Sequence, residues 1–173
     1  MAEPIALKID RFATPIGELV VIVDAQDRLR AIDWTDHENR MLELLRRYCG
    51  RAGFTLMPAK DPCGLRTAMQ AYFKGDLSAI DKLATDTGGT DFQRKIWREL
   101  RRIPCGQTIS YAELAQRIGK PAAIRAAGTA NGANPVSIVI PCHRVIGGDG
   151  SLTGYGGGLH RKEWLLTHEK AIS

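Results

Sequence analysis

Three short runs of strand-type spacing within the first 34 residues set the limits on the fold. Ala6-Leu7-Lys8-Ile9-Asp10 alternates, Leu19 to Val23 is a continuous apolar run, β-branched after Leu19, and Leu29 to Trp34 alternates again. Turn-rich stretches at Thr14-Pro15-Ile16-Gly17 and Asp24 to Asp27 separate them, which predicts an antiparallel meander. From Asp36 the period becomes helical. Met41, Leu44, Leu45 and Tyr48 fall on one stripe, and Leu65, Met69, Tyr72 and Phe73 on another that ends near Gly75. A loop containing Pro58, Pro62 and Gly64 lies between the two helices. Thr85 to Gly89 is a polar, glycine-containing link, so the expected division is 1–87 and 88–173.

The two halves differ in charge. Residues 1–87 hold 12 Lys/Arg against 13 Asp/Glu, and residues 88–173 hold 12 against 6. All the excess positive charge therefore lies in the second half, where it favours a polyanionic partner. Thr90 and Gln93 form a capping box ahead of the stripe Phe92, Ile96, Trp97 and Leu100, and Ile103 to Gly106 stops that helix. Ser110 and Glu113 predict a second box for a helix Tyr111 to Ile118. Gly119-Lys120 breaks it, and Pro121 suits the first turn of a helix reaching Asn131. This outline fits a helix-turn-helix and equally an ordinary helical hairpin. The second helix offers Arg125 and otherwise mostly small residues, Ala126, Ala127 and Gly128 among them. Such a helix approaches a surface closely but carries almost no base-reading code, which argues against a transcription regulator. A lone Arg on a smooth helix suits the space left by a displaced base.

Ile138-Val139-Ile140 reads as a buried, strand-like segment stopped by Pro141, and Cys142-His143-Arg144 follows at once. A thiol beside imidazole and guanidinium has the surroundings that favour thiolate. An isolated Cys-His pair is more often structural, so the neighbours decide the matter. Cys49, Cys63 and Cys105 have no adjacent His, no C-x-x-C pair occurs, and no metal or disulfide framework is expected. Asn134 precedes Pro135 at the turn into the apolar run. Gly147 to Gly150 and Gly154 to Gly158, interleaved with Leu152 and Tyr155, suggest a loop folded over a pocket. A last helix packs Trp164 and Leu165 and carries Glu169 near its end. No apolar run is long enough to span a membrane and no signal peptide is recognisable, so a cytoplasmic protein is expected.

Pro141-Cys142-His143-Arg144-Val145, with Asn134 upstream and Gly154-Tyr155-Gly156-Gly157 downstream, resembles the O6-alkylguanine-DNA alkyltransferases, the constitutive bacterial type in particular. The likeness extends to Gly88 to Gln93 and Arg161 to Leu166. It implies an α/β chain: a ribonuclease-H-like N-terminal domain with an antiparallel sheet and helices, then a mainly helical domain with a helix-turn-helix. It implies single-use repair, in which an alkylated guanine, or O4-alkylthymine, is flipped out of double-stranded DNA and its alkyl group moves irreversibly to cysteine. No cofactor is implied, and the chain is expected to be monomeric without DNA. By resemblance Cys142 is the nucleophile, His143 takes its proton through a water, and Glu169 orients the histidine. Asn134 is the hinge bonded to the active segment and Tyr111 hydrogen-bonds the guanine ring. Arg125 fills the hole in the duplex, with Ala126 to Gly128 against the DNA. Val145, Tyr155 and Gly156 contact the base. Some relatives bind zinc through N-terminal Cys and His; with no cysteine before Cys49, zinc is not carried over. Gly156 stands where some relatives have a larger residue, which implies a roomier pocket. The competing readings are a lesion sensor without transfer, a cysteine hydrolase and an adaptive-response regulator.

Overall fold

In the computed structural model, which describes residues 2–173, the chain forms two compact units, one ending at Gly89 and the other running from Thr90 to Ser173. Met1, with which the expected first domain begins, lies outside the described residues. Among the described residues no helix is long and apolar enough to cross a membrane.

The first unit is built on strands β1 (Ile5–Thr14), β2 (Gly17–Asp24), β3 (Leu29–Trp34) and β4 (Phe54–Pro58), with helices α1 (Glu38–Cys49) and α2 (Leu65–Phe73). Strand order is β3-β2-β1-β4. The first three strands form the expected antiparallel meander, but β4 pairs with β1 in parallel, from Ile5 opposite Phe54 to Ile9 opposite Pro58. The sheet is therefore mixed, which corrects the all-antiparallel expectation. Residues 55–57 are solvent-exposed on this edge strand, so it leaves no burial pattern in the sequence, and Pro58 is tolerated at an edge. Backbone bonds, including Ile5 N to Gly53 O at 3.0 Å and Ala59 N to Ile9 O at 3.0 Å, hold it in place.

Strand β2 is buried on both faces, with residues Leu19 to Val23 all fully covered, which explains its uninterrupted apolar run. Met41 and Leu45 of α1 pack against Leu7, Ile9, Val20, Ile22 and Ala31. Three buried aspartates cross-link this unit. Asp10 accepts from Arg66 Nε at 2.9 Å and Nη2 at 2.5 Å, Asp24 from Arg28 and Arg30, and Asp33 from Arg40. The polar link begins as part of the same unit, because Leu29 N donates to Ala84 O and Asp86 N to Leu29 O.

The second unit holds α3 (Asp91–Leu100), β5 (Ile109–Ser110), α4 (Tyr111–Arg117), α5 (Ile124–Gly132), β6 (Val145–Ile146) and α6 (Leu159–His168). Both arms of the Thr90–Gln93 capping box are present, at 2.9 and 3.1 Å. At α4, Ser110 caps Glu113 N at 3.1 Å, but the Glu113 carboxylate accepts from Arg117 at 2.9 Å instead of turning back. Helix α5 starts at Ile124, later than expected, because residue 123 has non-helical backbone angles and Pro121 belongs to the preceding turn. Trp97 Nε1 donates to Ala130 O at 2.9 Å and fastens α3 to α5. A short parallel pairing, Ile109 with Val145 and Ser110 with Ile146, brings the start of α4 beside the segment after Cys142.

The apolar run before Cys142 is not a strand. Val139 N bonds Ser137 O, Ile140 N bonds Val136 O, and Ile138 sits in the left-handed region at φ 74°. Residues 134–145 are nevertheless all buried. The run is apolar because it is a coiled turn inside the core, and burial alone does not distinguish that from a strand.

Candidate active site

Cys142, His143 and Arg144 form one turn of 3₁₀ helix, with Cys142 7% exposed. Asn134 fixes the approach to this turn. Its Nδ2 donates to Ile140 O at 2.7 Å while its Oδ1 accepts from Val136 N at 2.9 Å, so one amide closes the loop that carries the cysteine. From the end of α5, Asn131 Nδ2 donates to Cys142 O at 3.3 Å. The cysteine backbone is thus held from the helix as well as from its own loop.

His143 is fully buried, and its Nε2 lies 3.0 Å from Glu169 Oε2. Glu169, at the C-terminal end of α6, also receives Arg144 Nε on Oε1 and Nη2 on Oε2, both at 2.9 Å. Arg144 Nη1 donates to Ile103 O at 2.8 Å. Burial pushes the Glu169 carboxyl up, but His143 and the bidentate Arg144 outweigh it and hold the group well below the usual carboxylate range. For His143 burial is the leading effect. It pushes the imidazole down, Glu169 pulls the other way, and Arg144 and Lys162 reinforce burial. Both directions favour an ionised carboxylate facing a neutral imidazole. The carboxylate favours the proton on Nε2, which leaves Nδ1 as the basic nitrogen.

Lys162 of α6 is fully buried and reaches three backbone carbonyls: Val145 O at 2.6 Å, Thr153 O at 2.8 Å and Gly154 O at 3.3 Å. Desolvation pushes its amine down to about 8, and the charge interaction with Cys142 opposes that shift. Arg161 Nη1 adds a bond to Gly157 O at 3.0 Å. The glycine-rich stretch is therefore stapled to α6. Tyr111 Oη donates to Thr153 O at 2.9 Å. Gly154 has φ 61°, a backbone conformation that suits glycine, and a Cβ there would make only an ordinary 3.7 Å contact with Tyr111 Oη.

Two concave surfaces of about 680 Å³ each flank α5. One is lined by Tyr111, Ile124, Gly128, Thr153 and Gly154, and the other by Thr90, Phe92, Gln93, Ala122 and Ala126. Arg125 and Thr129 line both, so α5 is a ridge with Arg125 on it. Arg125 and Ala126 are exposed and Gly128 is half-buried, whereas Ala127 is fully buried because it falls on the inner face with Ala130 and Asn131. Its expected place on the DNA-facing surface is therefore corrected: its methyl packs inward.

The expected residues thus fall into two linked groups, Cys142–His143–Glu169–Asn134 around the thiol and Tyr111–Arg125–Gly128 around the groove. Tyr155 and Gly156 are half-buried and line neither surface, and the Val145 carbonyl already accepts from Lys162. Sequence reasoning assigned no role to Lys162, Asn131 or the Arg144–Glu169 bond. The one available signal was the Arg161 to Leu166 motif, which marked the position of Lys162 without a function.

A family model described as the DNA-binding domain of 6-O-methylguanine DNA methyltransferase matches residues 91–171. The chain is 53% identical over 160 residues to the methylated-DNA--protein-cysteine methyltransferase of Shigella flexneri, covering 92% of this chain and 94% of that protein. The corresponding protein of Salmonella typhimurium is 54% identical with the same coverage. Among solved structures, Mycobacterium tuberculosis OGT in complex with DNA superposes with a TM-score of 0.77 at 38% identity, covering 96% of this chain and 94% of that one.

Proposed function

The chain belongs to the O6-alkylguanine-DNA alkyltransferase family, and from that premise we propose that it repairs alkylated double-stranded DNA by moving the alkyl group from a flipped base to Cys142. The observation that carries this reading is the buried pair of His143, which directly follows Cys142 in the chain, and Glu169, which is kept ionised by Arg144. The His143 Nδ1 nitrogen takes the thiol proton through a water, and Nε2–H turns toward the carboxylate as positive charge develops on the ring. The thiolate sulfur attacks the alkyl carbon, the S–C bond forms as the C–O6 bond breaks, and the electron pair leaves on the guanine. The Tyr111 O–H, which donates to Thr153 O in the absence of DNA, turns to the base and eases its departure. The thioether has no leaving partner, so each molecule reacts once.

DNA delivery falls to the second unit, which we read as carrying a helix-turn-helix in α4 and α5. Arg125 on its ridge enters the duplex, while exposed Ala126 and half-buried Gly128 allow close approach. Asn134 is the hinge of the thiol loop. The free acceptor capacity of Val145 O, with the backbone near Tyr155 and Gly156, faces the base. The first unit, residues 1–87 in this reading, is a ribonuclease-H-like scaffold, and the protein is a cytoplasmic monomer until it meets DNA. A lesion sensor without transfer is disfavoured, since such proteins lack the cysteine present here at 142.

The test is intact mass after incubation with a duplex containing one O6-methylguanine. One methyl per protein, mapped to Cys142 and ending at one equivalent, is the expected result. Repeated turnover would point to a hydrolase, and binding without a mass change to a sensor.

A further inference from the structure

Three buried side-chain atoms flanking Cys142 form no hydrogen bond among the described residues: His143 Nε2, which still has Glu169 Oε2 3.0 Å away, and His143 Nδ1 and Asn131 Oδ1, for which no such neighbour stands close. His143 is fully buried and Asn131 3% exposed, so bulk water does not serve either atom. A buried acceptor left unpaired is costly, and native chains seldom carry one without a use. Both atoms are tied to the nucleophile. His143 is its peptide neighbour, and Asn131 donates through Nδ2 to its carbonyl at 3.3 Å. That bond also fixes which way the amide points, because the flipped amide would set its oxygen against Cys142 O.

With Nε2 protonated toward Glu169, Nδ1 is an acceptor, and Asn131 Oδ1 is an acceptor as well. Two acceptors cannot satisfy each other. A partner shared by both would have to supply two hydrogens, and water does so while keeping its lone pairs for a thiol S–H. Building on the reading that His143 takes the thiol proton, we propose that Asn131 is a positioning residue for that transfer, holding the relay water through Oδ1. One O–H is then occupied by Asn131, so the other is aimed at Nδ1 and a lone pair at sulfur. The thiol proton passes to the water as a water proton passes to Nδ1, and the water is regenerated. Asn131 belongs to α5, which also carries Arg125, so the helix placed in the duplex and the residue orienting the proton path are one rigid element.

The experiment is the single-turnover rate of methyl transfer from an O6-methylguanine duplex as a function of pH, for the parent, Asn131→Leu and His143→Gln. Asn131→Leu fills the same volume without an acceptor. It is expected to slow transfer about tenfold near neutral pH and to move the midpoint of the rate profile up by about one unit. The parental rate returns at high pH, where the thiol ionises without a relay, and duplex binding changes less than about twofold. A loss of rate equal at every pH would reduce Asn131 to a backbone clamp and overturn the proposal, as would a parental profile. If His143→Gln also keeps the parental profile, the base reading itself falls; if it shifts while Asn131→Leu does not, only the Asn131 assignment falls. Should the variant not fold, a high-resolution crystal structure of the parent decides. A water bonded to both Asn131 Oδ1 and His143 Nδ1 supports the proposal, and either atom meeting a protein group instead overturns it.

Discussion

Asp10 in the first unit and Glu169 in the second are both buried carboxylates gripped by two nitrogens of one arginine. The remaining capacity of Asp10 goes to the backbone N–H groups of Arg11 and Asp61, neither of which titrates. Glu169 presents Oε2 to His143 as well. Burial raises both carboxyls, and their hydrogen-bonding partners bring both below the usual range. The arginine thus does the same electrostatic work twice. A carboxylate closed off by backbone amides is a cross-link. One that shares an oxygen with an imidazole can steady a positive charge that appears only during a reaction.

The contrast can be broken most directly by neutralising each carboxylate. Glu169→Gln is expected to slow single-turnover methyl transfer about a hundredfold or more, the scale of a lost general-base arrangement. Asp10→Asn should leave the rate per folded molecule unchanged, and an equal loss would erase the distinction. Next in size is stability. Arg144→Met leaves Glu169 buried without its guanidinium and should cost about 3–5 kcal/mol in urea unfolding. Arg66→Met should cost less, because Arg66 is more exposed than Arg144 and Asp10 keeps its two backbone donors. A larger loss at Arg66 would reverse the assignment of which pair is the more tightly enclosed.

Acid titration sharpens the comparison further. The Glu169 pKa is depressed in the folded chain, so its stabilisation is complete above the ordinary value of 4.5 and drains away as pH falls through the depressed value. Glu169→Gln should flatten that part of the stability profile. The smallest effect expected is that of Tyr111→Phe, about a tenfold slowing with little change in stability, read by the same transfer assay.

What the sequence disclosed depended on whether a residue's task leaves a pattern in its neighbours. The stripe from Met41 to Tyr48 announces its helix because burial repeats at the element's own period, whereas Leu29 to Trp34 is legible from its residue types although it is buried almost throughout. Strand β4 escaped because, Phe54 apart, its side chains face solvent and its support is backbone pairing with β1. Ile138 to Ile140 misled in the opposite way, being buried without forming a ladder. Cys142, His143, Asn134 and Glu169 were named through a resemblance rather than through periodicity, and they do converge in space. Lys162 was silent since a buried lysine on a helix is written like a surface one. Only the fold shows three carbonyls closing on its amine. Asn131 was hidden for a related reason: at a helix end, an asparagine is ordinarily a stop signal.

The carbonyl staple has a thermodynamic consequence for the loop it holds. Gly154, Gly156, Gly157 and Gly158 would, as a free segment, lose more backbone freedom on ordering than almost any other four residues. Lys162 and Arg161 tie that segment down within the protein's own structure. The entropy loss therefore falls on folding rather than on complex formation, and a base arriving at Tyr111 meets a surface already set. Calorimetry of complex formation should accordingly register little ordering of this loop, and Lys162→Met should transfer that ordering penalty to the binding step.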